Sequence, residues 1–305
     1  MIYFIINPHA KSGYIEAVWD EIQRELAAHS RKYCCYKTKR PKDATRIARK
    51  LTSGKKGRKI VILGGDGTLN EFLNGMCRTE GIQLGYLPLG SGNDFARGME
   101  ISRDYKKELK KMLEGTSCRE LDYGIVDYPD GRRKRFFVSS GMGYDAKVCY
   151  EANHTKMKRI LNQLKLGKLV YLIIGVRDLI QAETFCGSLM VDGKEVLVGS
   201  GFLFVSFHNM PYEGGGFQFC PDADSSDGQL DLCVAKGMKK WKIPFIIPLA
   251  AFGKHIHCKG VYQFRCKEAV MRSGSGQFVH TDGETKKKER RIRIRISDKK
   301  IRFMN

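Results

Sequence analysis

The first third of the chain alternates strand and helix signals. Ile2 to Ile6 is a continuous apolar run, the pattern of a strand buried on both faces, and Asn7 to Gly13 follows as a loop. Ile15, Val18, Ile22 and Leu26 then recur at helical spacing, with Trp19 widening the same stripe. A second helix is expected across Lys42 to Leu51. Lys59 to Leu63 is a short, β-branched-rich run that ends in glycines, and Leu69 to Met76 restarts a helical pattern. This is a βαβ beginning with a glycine turn between one strand and its helix.

Beyond Leu121 the texture changes to short strand-like runs separated by turn signals: Phe136 to Ser139, Gly187 to Val191, Val196 to Phe207, Gln229 to Val234, Val261 to Arg265 and Arg291 to Ile296. The pattern predicts an α/β domain over 1–121, with a C-terminal strand in 291–305 returning to it. An all-β domain is expected over 122–290, with a helical insertion near residues 153–182.

Composition narrows the picture only partly. With 305 residues and 42% hydrophobic content the chain can fill ordinary cores. Its 54 basic against 33 acidic side chains give a formal +21, which attracts nucleic acid, anionic lipid and nucleotide phosphates alike. Nothing resembles a DNA-reading helix, an RNP aromatic motif or a zinc finger, so no specific nucleic acid is expected. Ten cysteines without a C-x-x-C pair, two of them adjacent at Cys34 and Cys35, argue against a disulfide framework and suit a reducing cytosol. The N-terminal run is too short, and lacks the basic flank, for a signal peptide. Leu169 to Val176 and Ile243 to Phe252 are the strongest apolar runs, and both are too short to span a bilayer. His208, His255, His257 and His280 show no metal spacing.

The chemistry is concentrated in Gly64-Gly65-Asp66-Gly67-Thr68. Glycines let the backbone approach an anion, and the N–H groups of the helix that follows point at it. The loop is neither a G-x-x-x-x-G-K-[ST] nor a G-x-G-x-x-G after a strand, which removes support from the two common glycine-loop readings.

GGDGTLNE at 64–71, with Asn7-Pro8 and Ser12-Gly13 upstream and LPLGSGNDFAR at 87–97 downstream, resembles the diacylglycerol kinase catalytic-domain family. That family takes in bacterial diacylglycerol and related lipid kinases and the sphingosine and ceramide kinases. The similarity continues through FFVSSGMGYDAKV, the glycines at 214–216, PDADSSDGQLDL at 221–232 and Thr281-Asp282-Gly283-Glu284. It implies an α/β N-terminal nucleotide-binding domain, a C-terminal all-β sandwich and an active site in the interdomain cleft.

The resemblance places ATP against Asn7, Pro8, Ser12 and Gly13, and near Thr38. It adds the run Gly64, Gly65, Asp66, Gly67, Thr68, Leu69, Asn70 and Glu71, and then Ser91, Asn93 and Asp94. Asp282 and Glu284 are its candidate bases, left unseparated, and an extended backbone through Gly283 would put both on one face. Asp66 is the third catalytic carboxylate, orienting Mg²⁺ waters or linking the phosphate loop to the second domain. The resemblance further implies a structural Mg²⁺ held by the side chain of Asp227 and the carbonyls of Asp224 and Gln229.

The expected activity is transfer of the γ-phosphate of MgATP to a lipid alcohol, diacylglycerol first, by a cytoplasmic enzyme peripheral at the inner membrane face. An NAD kinase, or a non-catalytic basic nucleic-acid- or lipid-binding protein, is the alternative. Two basic stretches, 156–168 and 286–302, are candidates for anionic membrane contact against a solvated or packed face. An exposed sheet edge in the second domain would allow a homodimer.

Overall fold

The computed structural model describes residues 1–10, 14–115, 117–154 and 182–304. The chain divides into two compact units, Met1–Leu121 with Asp298–Asn305, and Asp122–Ser297.

Unit 1 runs β1 (Ile2–Ile6), α1 (Tyr14–Ala28), β2 (Tyr33–Lys37), α2 (Asp43–Thr52), β3 (Arg58–Gly64), α3 (Asp66–Gly75), β4 (Ile82–Pro88), α4 (Asp94–Gly98), α5 (Tyr105–Glu114) and β5 (Cys118–Leu121). Its sheet has the order β2-β1-β3-β4-β17-β5, where β17 is Ile301–Met304. The first four strands are parallel, so both faces must be covered. Phe4 and Ile6 meet the inward stripe of α1, in which Ile15, Val18, Trp19, Ile22 and Leu26 are all buried, while Ile5, Ile60 and Ile62 are buried on the opposite face. Phe4, Trp19 and Tyr33 form an aromatic cluster at this seam, with the Phe4 and Trp19 rings 5.1 Å apart.

Helix α3 begins at Asp66, not at Leu69 as its apolar pattern suggested. Asp66, Gly67 and Thr68 are therefore its first turn.

Unit 2 contains β6 (Gly124–Asp127), β7 (Arg133–Phe136), β8 (Ser139–Gly143), α6 (Tyr144–His154), β9 (Phe185–Val191), β10 (Lys194–His208), β11 (Tyr212–Glu213), β12 (Phe217–Gln218), β13 (Leu230–Lys236), α7 (Ile243–Ala250), β14 (Val261–Cys266), β15 (Glu268–Thr281) and β16 (Glu284–Ile296). Its main sheet is antiparallel in the order β14-β13-β10-β8-β15-β16-β6-β7, and β9 pairs with both β10 and β15. The 15-residue β10 and 14-residue β15 each pair with β9 along one half and β8 along the other, besides β13 for β10 and β16 for β15. Register shifts mark the bends in both strands. Phe136, Phe202, Phe207, Met271 and Ile292 belong to the core so enclosed.

The segment that returns to unit 1 is shorter than the expected 291–305. Arg291 to Ile296 stay in unit 2 because β16 is paired there with β15 on one side and β6 on the other; the crossing comes after Ser297, whose N–H donates to the Tyr123 carbonyl. In β16, Ile292 and Ile294 face inward, while Arg293 pairs with Glu268 and Arg295 with Asp127. Two charges of the basic face are thus already matched within the unit. The other basic stretch, 156–168, lies outside the described residues. Among the described residues no helix is long and apolar enough to cross a membrane.

Candidate active site

The residues singled out in unit 1 gather at one edge of its sheet. Because β1 to β4 are parallel, their carboxyl ends share an edge, and the order β2-β1-β3-β4 sends the chain from β1 and from β3 in opposite directions. Open α/β sheets bind ligands in the crevice that such a switch creates. Asn7, Thr38, Gly65 and Leu89 each leave a strand at this edge.

Two glycine loops pass back to back there. A Cβ on Gly90 would lie 2.5 Å from Gly65 Cα, so the second loop has no room for a side chain there, and a Cβ on Gly65 would be tight at 3.2 Å from Gly90 Cα. Asp66 ties the loops together: its Oδ2 accepts the Asp94 N–H at 3.1 Å and its Oδ1 the Phe95 N–H at 3.4 Å, satisfying the start of α4. Asn93, at φ +54°, clasps Gly90 by accepting its N–H and donating to its carbonyl, both at 3.0 Å. Asp94 turns its carboxylate to Arg97. On the β1 side, Asn7 donates through Nδ2 to Thr68 Oγ1 at 2.9 Å. Glu71 accepts the Lys42 N–H at 2.8 Å at the head of α2.

These polar side chains hold loops in place. The group left to meet an anion is the amino end of α3, whose N-cap is Gly65 and which has no side-chain cap. Ser91 is exposed beside it, Pro8 is half-buried, and Thr38 is buried with its N–H on the Ile6 carbonyl. Leu69 and Asn70 are 1% and 8% exposed, because helical spacing turns them inward from the edge; a ligand there meets the backbone of this turn and not those side chains. Ser12 and Gly13 lie outside the described residues.

In unit 2, Thr281 pairs with Glu284, which leaves Asp282 and Gly283 as a two-residue hairpin turn. Both take positive φ, +47° and +78°, the geometry that favours Asp-Gly in such turns. The backbone is therefore not extended, and Asp282 and Glu284 do not share a strand face as expected. The Asp282 carboxylate accepts the N–H groups of Phe137, Val138 and Ser139 at 3.0, 2.9 and 3.1 Å, and its own N–H donates to the Ser139 carbonyl. Glu284 is exposed, and its carboxylate makes no hydrogen bond or ion pair among the described residues.

Behind the turn lies a buried charged cluster. His280 Nε2 stands 3.2 Å from Asp145 Oδ2 and 3.2 Å from Glu213 Oε1, and Glu213 Oε2 is 3.5 Å from His208 Nε2. Burial alone would lower the His280 pKa, but the Glu213 and Asp145 carboxylates outweigh it and lift it to about 9. For His208 burial prevails over Glu213 and lowers the pKa to about 4. One imidazole is thus a cation and the other neutral at pH 7. The Cys149 thiol lies within 4.8 Å of the ligand atoms of Glu213 and His280. In the sequence His280 stands out only as a neighbour of the turn. Asp145 and Glu213 were visible only as members of the family-like strings around GYDA and the glycines at 214–216.

The implied metal loop is differently occupied. Asp224 Oδ1 accepts from the N–H and the hydroxyl of Ser226, and Asp227 Oδ1 accepts the Gln229 N–H at 2.9 Å. Arg265 bonds Asp231 at 3.0 Å and reaches within 3.8 Å of Asp227 Oδ2. The guanidinium thus brings positive charge beside Asp227, the one side chain among the implied ligands; the other two are the carbonyls of Asp224 and Gln229.

Comparison with known proteins agrees with this anatomy. Residues 1–126 match the diacylglycerol kinase catalytic domain, and residues 138–299 match the YegS C-terminal NAD kinase beta sandwich-like domain. The chain belongs to the diacylglycerol kinase catalytic-domain family of lipid kinases. YtlR of Bacillus subtilis strain 168, a proposed lipid kinase, is 29% identical over 287 residues, covering 92% of each chain. The diacylglycerol kinase of Staphylococcus aureus strain Newman is 30% identical over 229 residues, which are 74% of this chain and 67% of that one. A crystal structure of a diacylglycerol kinase from Bacillus anthracis strain Sterne superposes with a TM-score of 0.72 at 21% identity, covering 99% of this chain and 96% of that one. An NAD kinase from Archaeoglobus fulgidus in complex with ATP reaches 0.51 at 14% identity, covering 100% and 94%; these two likenesses are of fold alone.

Proposed function

We propose that this protein transfers the γ-phosphoryl group of MgATP to the hydroxyl of a lipid alcohol, with diacylglycerol as the acceptor and phosphatidic acid as the product. The observation that carries the reading is the pair of back-to-back glycine loops at the switch point, fixed by Asp66 across the 3.1 Å bond to Asp94. Phosphoryl transfer asks a protein mainly to position partners and to offset charge. The amino end of α3 offers backbone N–H groups to the phosphates, and Asn7, Asn93 and Glu71 keep the loops in register for them. Mg²⁺ bound with the nucleotide supplies further charge neutralisation. Asp66 is half-buried at this edge, and a carboxylate in that position meets such an ion through water.

Of the two carboxylates at the turn, Glu284 takes the acceptor's proton. It is exposed, and its oxygens are not engaged by described residues, whereas three backbone N–H groups already share the Asp282 carboxylate. Asp282 positions the turn on which Glu284 sits. Names of curated relatives favour diacylglycerol as the acceptor. Incubation with γ-labelled ATP, Mg²⁺ and a panel of lipids in mixed micelles tests this, with labelled phosphatidic acid as the expected product. Label in NADP instead, with NAD present, would replace the reading.

A further inference from the structure

Helix α7 has two apolar faces. Ile243 and Ile247 pack inward against Ala182, Leu203 and Ala235, and Ala250 is buried. On its other side Phe245 and Leu249 are 71% and 37% exposed, and the flanking turns add Trp241 and Phe252 at 64% and 74%. Phe245 and Leu249, four residues apart, share one face of the helix, and Trp241 and Phe252 stand about one turn before and after them in sequence. The other large apolar side chains exposed to this degree among the described residues, Met1, Val198 and Tyr262, are scattered in sequence. Large apolar side chains exposed this close together mark a surface that something covers.

The charge around it says what. From Lys236 to Lys267 the chain contains no acidic residue. Lys239, Lys242, Lys254 and Lys259 are exposed, and none is in an ion pair among the described residues. Lys242 lies 5.4 Å from the centre of the Trp241 ring. A symmetric contact between two copies through this face would bring lysine against lysine, which disfavours a dimer here. An apolar stripe of Trp, Phe and Leu bordered by uncompensated lysines suits the boundary of a bilayer, where rings enter the interfacial layer and ammonium groups meet phosphates.

We propose that the α7 face docks this protein on anionic phospholipid bilayers. The assignment extends the lipid kinase reading, since a soluble enzyme for a lipid alcohol has to reach a membrane surface. Trp241 offers a built-in reporter: of the two tryptophans, Trp19 is buried at 3% exposure and Trp241 is the exposed one.

The test uses the full chain with vesicles of phosphatidylcholine alone and of phosphatidylcholine with phosphatidylglycerol. Tryptophan emission should shift to the blue on the anionic vesicles, and brominated lipid should quench it. Partitioning should fall by about tenfold or more in Phe245→Ser/Phe252→Ser and in Lys239→Glu/Lys242→Glu, at exposed positions that leave folding intact. Transfer to a short-chain diacylglycerol dispersed as monomers should be unchanged in both variants. Equal vesicle binding by wild type and variants would overturn the proposal, and so would a Trp241 shift that depends on protein concentration without vesicles. Absence of transfer to the dispersed substrate by the wild type would reject the kinase reading by itself, independently of the vesicle result.

Discussion

The Asp66 carboxylate accepts the backbone N–H of Asp94 at 3.1 Å and so joins the first turn of α3 to the first turn of α4. One side chain thereby fixes the spacing of two helix starts that both face the carboxyl edge of the sheet. Asp66→Asn replaces an oxygen that accepts with an amide that donates, and leaves one N–H of α4 opposite it unsatisfied. We expect a stability loss of about 1–2 kcal/mol in urea denaturation and a larger KM for ATP.

At the Gly65–Gly90 contact the prediction is steric. Gly90→Ala places a Cβ 2.5 Å from Gly65 Cα, and since both partners are backbone neither can move aside cheaply. The expected cost is about 1–3 kcal/mol with loss of ATP affinity. Gly67→Ala is the comparison: nothing lies within 4 Å of its added Cβ, and it stands inside a helix, so stability should hold or rise by less than about 1 kcal/mol.

Glu284→Gln and Asp282→Asn should separate chemistry from scaffold. The first should lower kcat by roughly 10²–10⁴ with an unchanged thermal midpoint, the size of a lost general base. The second should lower the midpoint as well, because three backbone N–H groups lose a charged acceptor. Equal kcat in Glu284→Gln and wild type would transfer the role of base away from Glu284.

How much of this was legible in the sequence differs between the units. In unit 1 the stripe of Ile15, Val18, Trp19, Ile22 and Leu26 and the apolar run of β1 were readable because burial imposes a clear period on them. Unit 2 hid its longest hairpin. β15 carries Ser273-Gly-Ser-Gly276 in mid-strand, which reads as a turn, and only its pairing with β9, β8 and β16 makes it a strand. The Asp282-Gly283 turn had a local signature, yet the three N–H groups it binds come from residues 137–139, far away in sequence. The same holds for His280, whose charged state depends on Asp145 and Glu213.

The buried histidines give the protein a pH optimum. His280 is raised to about 9 from 6.5, so its contribution is complete below about pH 6.5 and is lost as pH rises through about 9. His208 is lowered to about 4, so its neutral form stabilises above about pH 6.5, and that contribution is lost as pH falls towards 4. Denaturation midpoints should therefore peak near neutral pH, with an alkaline limb on the order of 3 kcal/mol. His280→Gln should flatten that limb.

The most direct measurement is transfer of label from γ-labelled ATP, with Mg²⁺, to diacylglycerol in mixed micelles, run beside Glu284→Gln and beside NAD as competing acceptor. Labelled phosphatidic acid made by the wild type and strongly reduced in the variant is the expected result. Label on NAD with none in any lipid, or no transfer to any acceptor by folded protein, would contradict the lipid kinase reading.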